Sequence, residues 1–213
     1  MTQRVAIFGT SGMALETRDV AEAMGWEVLF IARDQAELQA IRATGAEAVL
    51  EAGIGDLPPM LYAIGVGEGA VRRKIAARHA DKLEFANLIH PSATFGHRQR
   101  AQLESRQGVI VCAGARFTSD IVVGDFTIFN VNSTVHHGCV IGDFVTVSPM
   151  ACVLGNVDVH SGAWIGAAAV INQGANEAKR VVGQDTVIGS GAVVLRDCEP
   201  GAVYAGVPAR KIK

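Results

Sequence analysis

The sequence predicts an α/β domain followed by a parallel β-solenoid wound in three-sided coils. Three observations predict it. Every sixth residue from Val111 to Ile171 is Val, Ile or Phe: Val111, Phe117, Val123, Phe129, Val135, Ile141, Val147, Val153, Val159, Ile165 and Ile171. The residue two places earlier is usually small, as in Ala115, Thr127, Ser133, Cys139, Ala151, Ala163 and Ala169. Ahead of this run, strand-like apolar segments alternate with helix-like ones across residues 1–86. In a chain that is 49% hydrophobic, eleven apolar residues in one phase arise by chance about once in two thousand trials. A period of six is neither 3.6 nor two, and it marks a solenoid of short strands.

The N-terminal elements follow in order. Arg4–Gly9 reads as a buried parallel strand, Thr10–Ala14 as a turn and Leu15–Met24 as a helix. Glu27–Ile31, Ala46–Leu50, Met60–Ile64 and Phe85–Ile89 read as further strands, with helices over Gln35–Ala43 and Glu68–His79. Such a sheet is covered on both sides and binds ligands beyond the carboxyl ends of its strands. The turn Gly9-Thr10-Ser11-Gly12-Met13-Ala14 stands at such an end. Its amides and the following helix N-terminus suit a phosphate, although the turn is not a GxGxxG loop. About eighty residues leave no room for a complete two-lobed dinucleotide fold. A nucleotide-diphosphate-linked substrate is therefore expected rather than NAD.

From residue 87 to 213 the repeat governs. A spacing of two puts the large and the small residue on one face of a strand. Three six-residue units make one coil of a triangular prism, so large residues stack on counterparts eighteen positions away. Each fully buried Val, Ile or Phe contributes roughly 1.5–3 kcal/mol. Gly124-Asp125, Gly142-Asp143 and Gly155-Asn156 fall at corners, where unusual backbone angles are expected. The repeat resumes at Val182, Ile188 and Val194, so five residues are inserted within the polar stretch 172–180, read as a loop thrown out of the prism. Thr94–Gly108 lacks a clean phase, which predicts an irregular first coil.

Composition excludes several classes. A net charge of −2 gives no footprint for nucleic acid. The apolar run after Met1-Thr2-Gln3-Arg4 is too short for a signal peptide or a membrane span. Cys112, Cys139, Cys152 and Cys198 have no paired spacing; Cys139 and Cys152 read as buried small hydrophobes, and the expected compartment is a reducing cytoplasm.

Several segments together resemble one family: the turn GTSGMA, IGVGEGAVRRKI (Ile64–Ile75), NLIHPSA (Asn87–Ala93), STVHHGCVIGDFV (Ser133–Val145), Gly155-Asn156-Val157 and AGVPARKI (Ala205–Ile212). The family is the bacterial sugar-nucleotide acetyltransferases, which includes the UDP-4-amino-sugar and GDP-perosamine N-acetyltransferases and the sialic acid O-acetyltransferases. The resemblance implies a Rossmann-like N-terminal domain and a left-handed parallel β-helix. It implies transfer of an acetyl group from acetyl-CoA, without a metal, to a nucleotide-linked amino sugar, with sugar O-acetylation as the alternative.

The family's catalytic histidine falls on His137, as general base. The residues alone do not choose between His136 and His137; the motif does. The oxyanion donor maps onto the Gly155 amide. The coenzyme lies between subunits of a homotrimer, by position near Gly155, Ala167 and Ser190, with Arg210 and Lys211 near its phosphates. The sugar nucleotide would meet Gly9, Ser11 and Gly12 at the phosphates, Arg33 and Asp34 at the base or ribose, Ile64 and Gly65, and Asn130 at the sugar. His90 in NLIHPSA reads as structural, in a link between the domains.

Three positions depart from the family: Gly138 where an acidic residue follows the catalytic histidine, Met13 in the turn and Thr146 in the prism, where histidines are usual. They bear on the acceptor and on what orients His137. A zinc carbonic anhydrase on the same prism needs three converging histidines, and His136, His137 and His160 lack the spacing. A non-catalytic sugar-nucleotide sensor is the remaining alternative.

Overall fold

The computed structural model describes residues 3–213. Met1 and Thr2, part of the N-terminal segment considered above, lie outside them. The first unit is a five-stranded parallel sheet of β1 (Arg4–Phe8), β2 (Glu27–Ala32), β3 (Ala48–Leu50), β4 (Leu61–Ile64) and β5 (Glu84–Phe85), in the order β3-β2-β1-β4-β5. Helices α1 (Met13–Ala23) and α2 (Gln35–Arg42) connect the first three strands, and α3 (Gly69–His79) joins β4 to β5. A short 3-10 helix, Glu51–Asp56, stands between β3 and β4. Alternation along β1 sends Val5 and Ile7 to one core and Ala6 and Phe8 to another, so both faces are covered.

The predicted strand Phe85–Ile89 is two strands in two different sheets. Glu84–Phe85 closes the α/β sheet, whereas β6 (Leu88–Ile89) opens the prism by pairing with Ile110–Val111. NLIHPSA is therefore the first rung of the prism and not a link. Its His90 accepts from the amide of Ser92 at 3.0 Å, a local turn contact. After β7 (Thr94–Phe95) the expected irregular stretch forms α4 (Gln99–Glu104), which takes the third side of the first coil.

From Ile110 on, two-residue strands stack in register. Ile128–Phe129 pairs with Thr146–Val147, which pairs with Trp164–Ile165. This first face continues through Val187–Ile188 to Val203–Ala205. A second face carries Thr134–Val135 beneath Cys152–Val153, and a third carries Val140–Ile141 beneath Val157–Val159. All eleven residues from Val111 to Ile171 are at most 3% exposed, and their small companions are buried with them. Cys139 is such a companion, whereas Cys152 faces outward from its strand and is half-buried, against the expectation. Burial pushes the Cys112 thiol up to about 12 and the Cys139 and Cys198 thiols up to about 11, so these three stay protonated at neutral pH.

The corners are tight, but not where the Gly-Asp pairs suggest. Left-handed angles fall on the third corner residue, Phe126 (φ 55°) and Phe144 (φ 59°) after the Gly-Asp pairs and Asn156 (φ 58°) itself. Gly124 is needed for a different reason: a methyl there would lie 2.5 Å from the Asp143 amide of the next coil.

The two units meet along the first face, where Leu88, Ile110 and Ile128 pack beside Ala14 of α1. One buried side chain makes most of the hydrogen bonds between them. Arg72 of α3 is 1% exposed. It donates to the carbonyls of Val66 (2.9 Å), Gly67 (2.7 Å), Phe126 (2.9 Å), Phe144 (2.8 Å) and Val145 (2.9 Å), and to Thr146 Oγ1 (3.0 Å). Burial pulls the guanidinium down to about 9, which leaves it charged at pH 7. Replacing it leaves several buried acceptors without a donor. Arg72→Met is expected to lower stability by about 3–5 kcal/mol in urea unfolding at pH 7; a loss under about 1 kcal/mol would contradict this role.

Candidate active site

The corner between the second and third faces holds His137. The chain leaves Thr134–Val135, His136 donates its amide to the Val153 carbonyl (2.9 Å), and Gly138 turns the chain at φ 68°. One coil on, Leu154-Gly155-Asn156 repeats the corner, and the Asn156 amide donates to the His137 carbonyl (2.9 Å). The eighteen-residue register thus seats Gly155 on the imidazole. A methyl on Gly155 would lie 2.6 Å from His137 Cε1 and 2.7 Å from Nε2. His137 is exposed, and among the described residues its ring has no hydrogen-bond partner. The Gly155 amide likewise donates to none of them. An exposed base thus lies directly against a buried glycine whose N–H has no acceptor among the described residues.

Ala167 and Ser190 stack on each other at a different corner, between the first and second faces, where the Gly191 amide donates to the Ala167 carbonyl (2.8 Å). Asn130 shares that corner. It is 7% exposed, and its Oδ1 accepts only a long contact from Cys112 Sγ at 3.8 Å. His137 and Gly155 therefore lie on one edge of the prism, and Asn130, Ala167 and Ser190 on another. Arg210 and Lys211 lie on a terminal antiparallel strand against Val203–Ala205. Lys211 pairs with Glu199 at 2.7 Å, and this contact raises its pKa.

In the α/β domain the turn after β1 leaves the amides of Thr10, Ser11, Gly12 and Met13 without backbone acceptors at the start of α1. The Gly9 amide is not among them, since it donates to the Ile31 carbonyl (3.0 Å). Gly65 abuts this turn, and a methyl on it would lie 2.6 Å from Ala14 Cα. Ile64 is corrected: it is 1% exposed and its side chain belongs to the core. Asp34 caps α2 by accepting from the Glu37 amide (2.9 Å), the main cause of its lowered pKa. Arg33 is exposed and pairs with Asp34 and Glu37. A groove of about 480 Å³ runs from Ser11 along α1 and α2, past Arg18 and Glu37. A concavity of about 1030 Å³ lies away from it, where Arg4, Glu51, Tyr62, His79 and Lys82 converge.

Two features escape sequence reasoning. Thr146 does not line a pocket; it is 2% exposed and its hydroxyl donates to the Gly67 carbonyl (2.7 Å) beside Arg72. Trp164, in register above it, is 37% exposed and reaches the loop Gly65-Val66-Gly67. Its position in the repeat marks it as outward-facing, a signal the sequence does contain. Among the described residues no group of three or more His, Cys, Asp or Glu converges to hold a metal, and His160 sits on a different corner from His137.

No family model matches the chain. A curated relative, GDP-perosamine N-acetyltransferase from Escherichia coli O157:H7, is 37% identical over 106 residues, 50% of this chain and 48% of the relative. The match thus spans about half that relative's length. A variant of perosamine N-acetyltransferase from Caulobacter crescentus, solved with CoA and GDP-perosamine, superposes with a TM-score of 0.85 at 25% identity, over 100% of this chain and 98% of the other. The acetyltransferase domain of PglB from Neisseria gonorrhoeae FA1090, solved with acetyl coenzyme A, gives 0.84 at 26% identity over the whole of both chains. The chain's relatives are hexapeptide-repeat sugar acetyltransferases. With these acetyltransferases it shares the parallel β-helix, wound from the register described above.

The stacking of Gly155 on His137 is directly testable. Gly155→Ala is expected to keep the fold, with a thermal midpoint within a few degrees, while it displaces the ring and shifts the His137 Cε1 resonance. An unshifted resonance would contradict the stacking.

Proposed function

We propose that the protein transfers the acetyl group of acetyl-CoA to an amine on a nucleotide-linked sugar. In this reading residues 1–86 are a Rossmann-like sugar-nucleotide domain, and residues 87–213 a left-handed β-helix that carries the chemistry. The observation that carries the reading is the pair of free groups at one corner, the His137 imidazole and the Gly155 amide. The likeness to acetyltransferases solved with acetyl coenzyme A, or with CoA and GDP-perosamine, supports the choice of substrates.

The sugar amine attacks the thioester carbonyl. His137 takes the proton that the nitrogen loses, and the Gly155 N–H donates to the oxyanion of the tetrahedral intermediate. Collapse breaks the C–S bond, gives the amide, and passes the proton from His137 to the departing sulfur. The free amides at the start of α1 suit the diphosphate of the sugar nucleotide, with Ser11 and Gly12 in contact, Gly9 and Gly65 shaping the turn, and Arg33 and Asp34 beside the base or ribose. Asn130 faces the sugar, and Ala167, Ser190, Arg210 and Lys211 face the coenzyme.

Because the His137 and Asn130 half-sites occupy different edges of one prism, a complete site needs the edge of another copy. A homotrimer with three shared sites satisfies this, and Val131 (37% exposed) and Met150 (67% exposed) beside the Asn130 corner supply apolar surface for it. The same reading proposes a cytoplasmic protein. Among the described residues no helix is long and apolar enough to cross a membrane.

The test is a mass-spectrometric screen of UDP-, GDP-, dTDP- and CMP-linked amino sugars with acetyl-CoA, followed by His137→Ala on the best acceptor. The variant is expected to lose at least about a hundredfold in turnover with little change in coenzyme affinity. An unchanged rate removes His137 as the base; a screen in which hydroxyls alone are acetylated replaces the amine reading with O-acetylation.

A further inference from the structure

The five residues inserted after Ile171 do not leave the prism. The loop 172–179 lies on the corner next to His137, while Arg180, expected within the loop, already begins the next strand. Two hydrogen bonds of the loop, and a third from the first residue of the strand that follows it, bind it there. The Gly174 amide donates to the Gly155 carbonyl (3.0 Å), the Arg180 amide donates to the Asn156 carbonyl (3.0 Å), and Asn156 Nδ2 donates to Asn176 Oδ1 (2.8 Å). The approach is close, since a methyl on Gly174 would lie 2.3 Å from the Asn156 carbonyl oxygen. The loop also closes on itself, through reciprocal bonds between Ala175 and Ala178 (3.0 and 3.2 Å). Lys179 pairs with Asp158 at 3.1 Å and anchors its end. The Arg180 bond begins the ladder to Val157–Val159, but those of Gly174, Asn176 and Lys179 are the loop's own.

Asn156 is the centre of the arrangement. Its amide holds the His137 carbonyl and its side chain holds the loop. Its Oδ1 lies where a methyl on Gly138 would stand, at 2.4 Å. Asn156 therefore lies against Gly138, the residue after His137, and follows Gly155, which packs on the ring. The ring itself has no partner among the described residues, so packing against Gly155 orients it.

We propose that loop 172–179 is a positioning element for the His137–Gly155 corner and that it acts through the Asn156–Asn176 hydrogen bond. This rests on the acetyltransferase reading above. Without Asn176 the Asn156 side-chain amide loses its acceptor, and the Gly155–Asn156 peptide is held against the imidazole only by its backbone bonds to Gly174 and His137. Small misplacements of this kind lower the rate without weakening substrate binding.

The experiment compares Asn176→Leu with Asn176→Asp. Asn176 is exposed, so neither change disturbs the core. Asn176→Leu is expected to lower kcat about tenfold with KM for acetyl-CoA unchanged, and to speed hydrogen exchange at the Asn156 amide. Asn176→Asp keeps the acceptor and is expected to restore both. Wild-type kcat in Asn176→Leu overturns the positioning role. Wild-type exchange at Asn156 in that variant overturns the loop's hold on the corner, whatever the activity. A wild-type protein that transfers nothing removes the acetyltransferase reading and the loop's catalytic part with it; the exchange result is read separately.

Discussion

Residues eighteen positions apart stand on one another, and almost everything else in the molecule follows from that register. Phe117 pairs with Val135 and Val135 with Val153, so each coil covers the apolar ribs of the last. The same stacking carries Gly155 over His137 without a dedicated contact between them. It also forces small residues where coils close on each other and left-handed backbone on the third residue of each corner. The register survives the inserted loop because the strand Arg180–Val182 returns to its place beside Val157–Val159.

A wall of this kind offers only a small concavity of about 280 Å³ near its C-terminal end. The α/β domain supplies larger ones, and Arg72 bonds the two units together. Its guanidinium has five N–H groups and six acceptors within reach, drawn from both units, including the loop Gly65-Val66-Gly67 at the sheet's carboxyl end. The ring stack of Phe126 on Phe144 (5.2 Å between centroids) lies at the same junction, and Gly69 lets α3 start against the Phe144 carbonyl. The turn that suits a diphosphate is thereby held at a set distance from the prism. The edge with His137 and the edge with Asn130 stand apart on the prism, and the proposed chemistry therefore calls for a second copy.

The prism core could be read from the sequence because buried Val, Ile and Phe repeat in one phase. The α/β strands could be read because parallel strands are continuous apolar runs. Arg72 could not be read as a joint, since a basic residue in VRRKI looks like one of several solvated charges on a helix. Phe85–Ile89 looked like one strand because nothing in its hydropathy marks the change of sheet at Ala86-Asn87. Thr94–Gly108 had no six-residue phase because a helix replaces the strand there. His137 and Gly155 were both singled out, yet their contact required only the eighteen-residue arithmetic. The loop's docking had no sequence signal, because Gly174, Asn176 and Lys179 are ordinary residues of an exposed turn.

The sharing of one site between two edges is tested most directly by subunit complementation. His137→Ala disables one edge, and Ala167→Trp obstructs the coenzyme on the other. Each variant alone is inactive. Co-expressed in equal amounts and purified together without separating mixed from uniform oligomers, they are predicted to regain acetyl transfer at about a quarter of the wild-type rate, the share of interfaces that unite two intact edges. A mixture as inactive as its parents would contradict a site built from two chains.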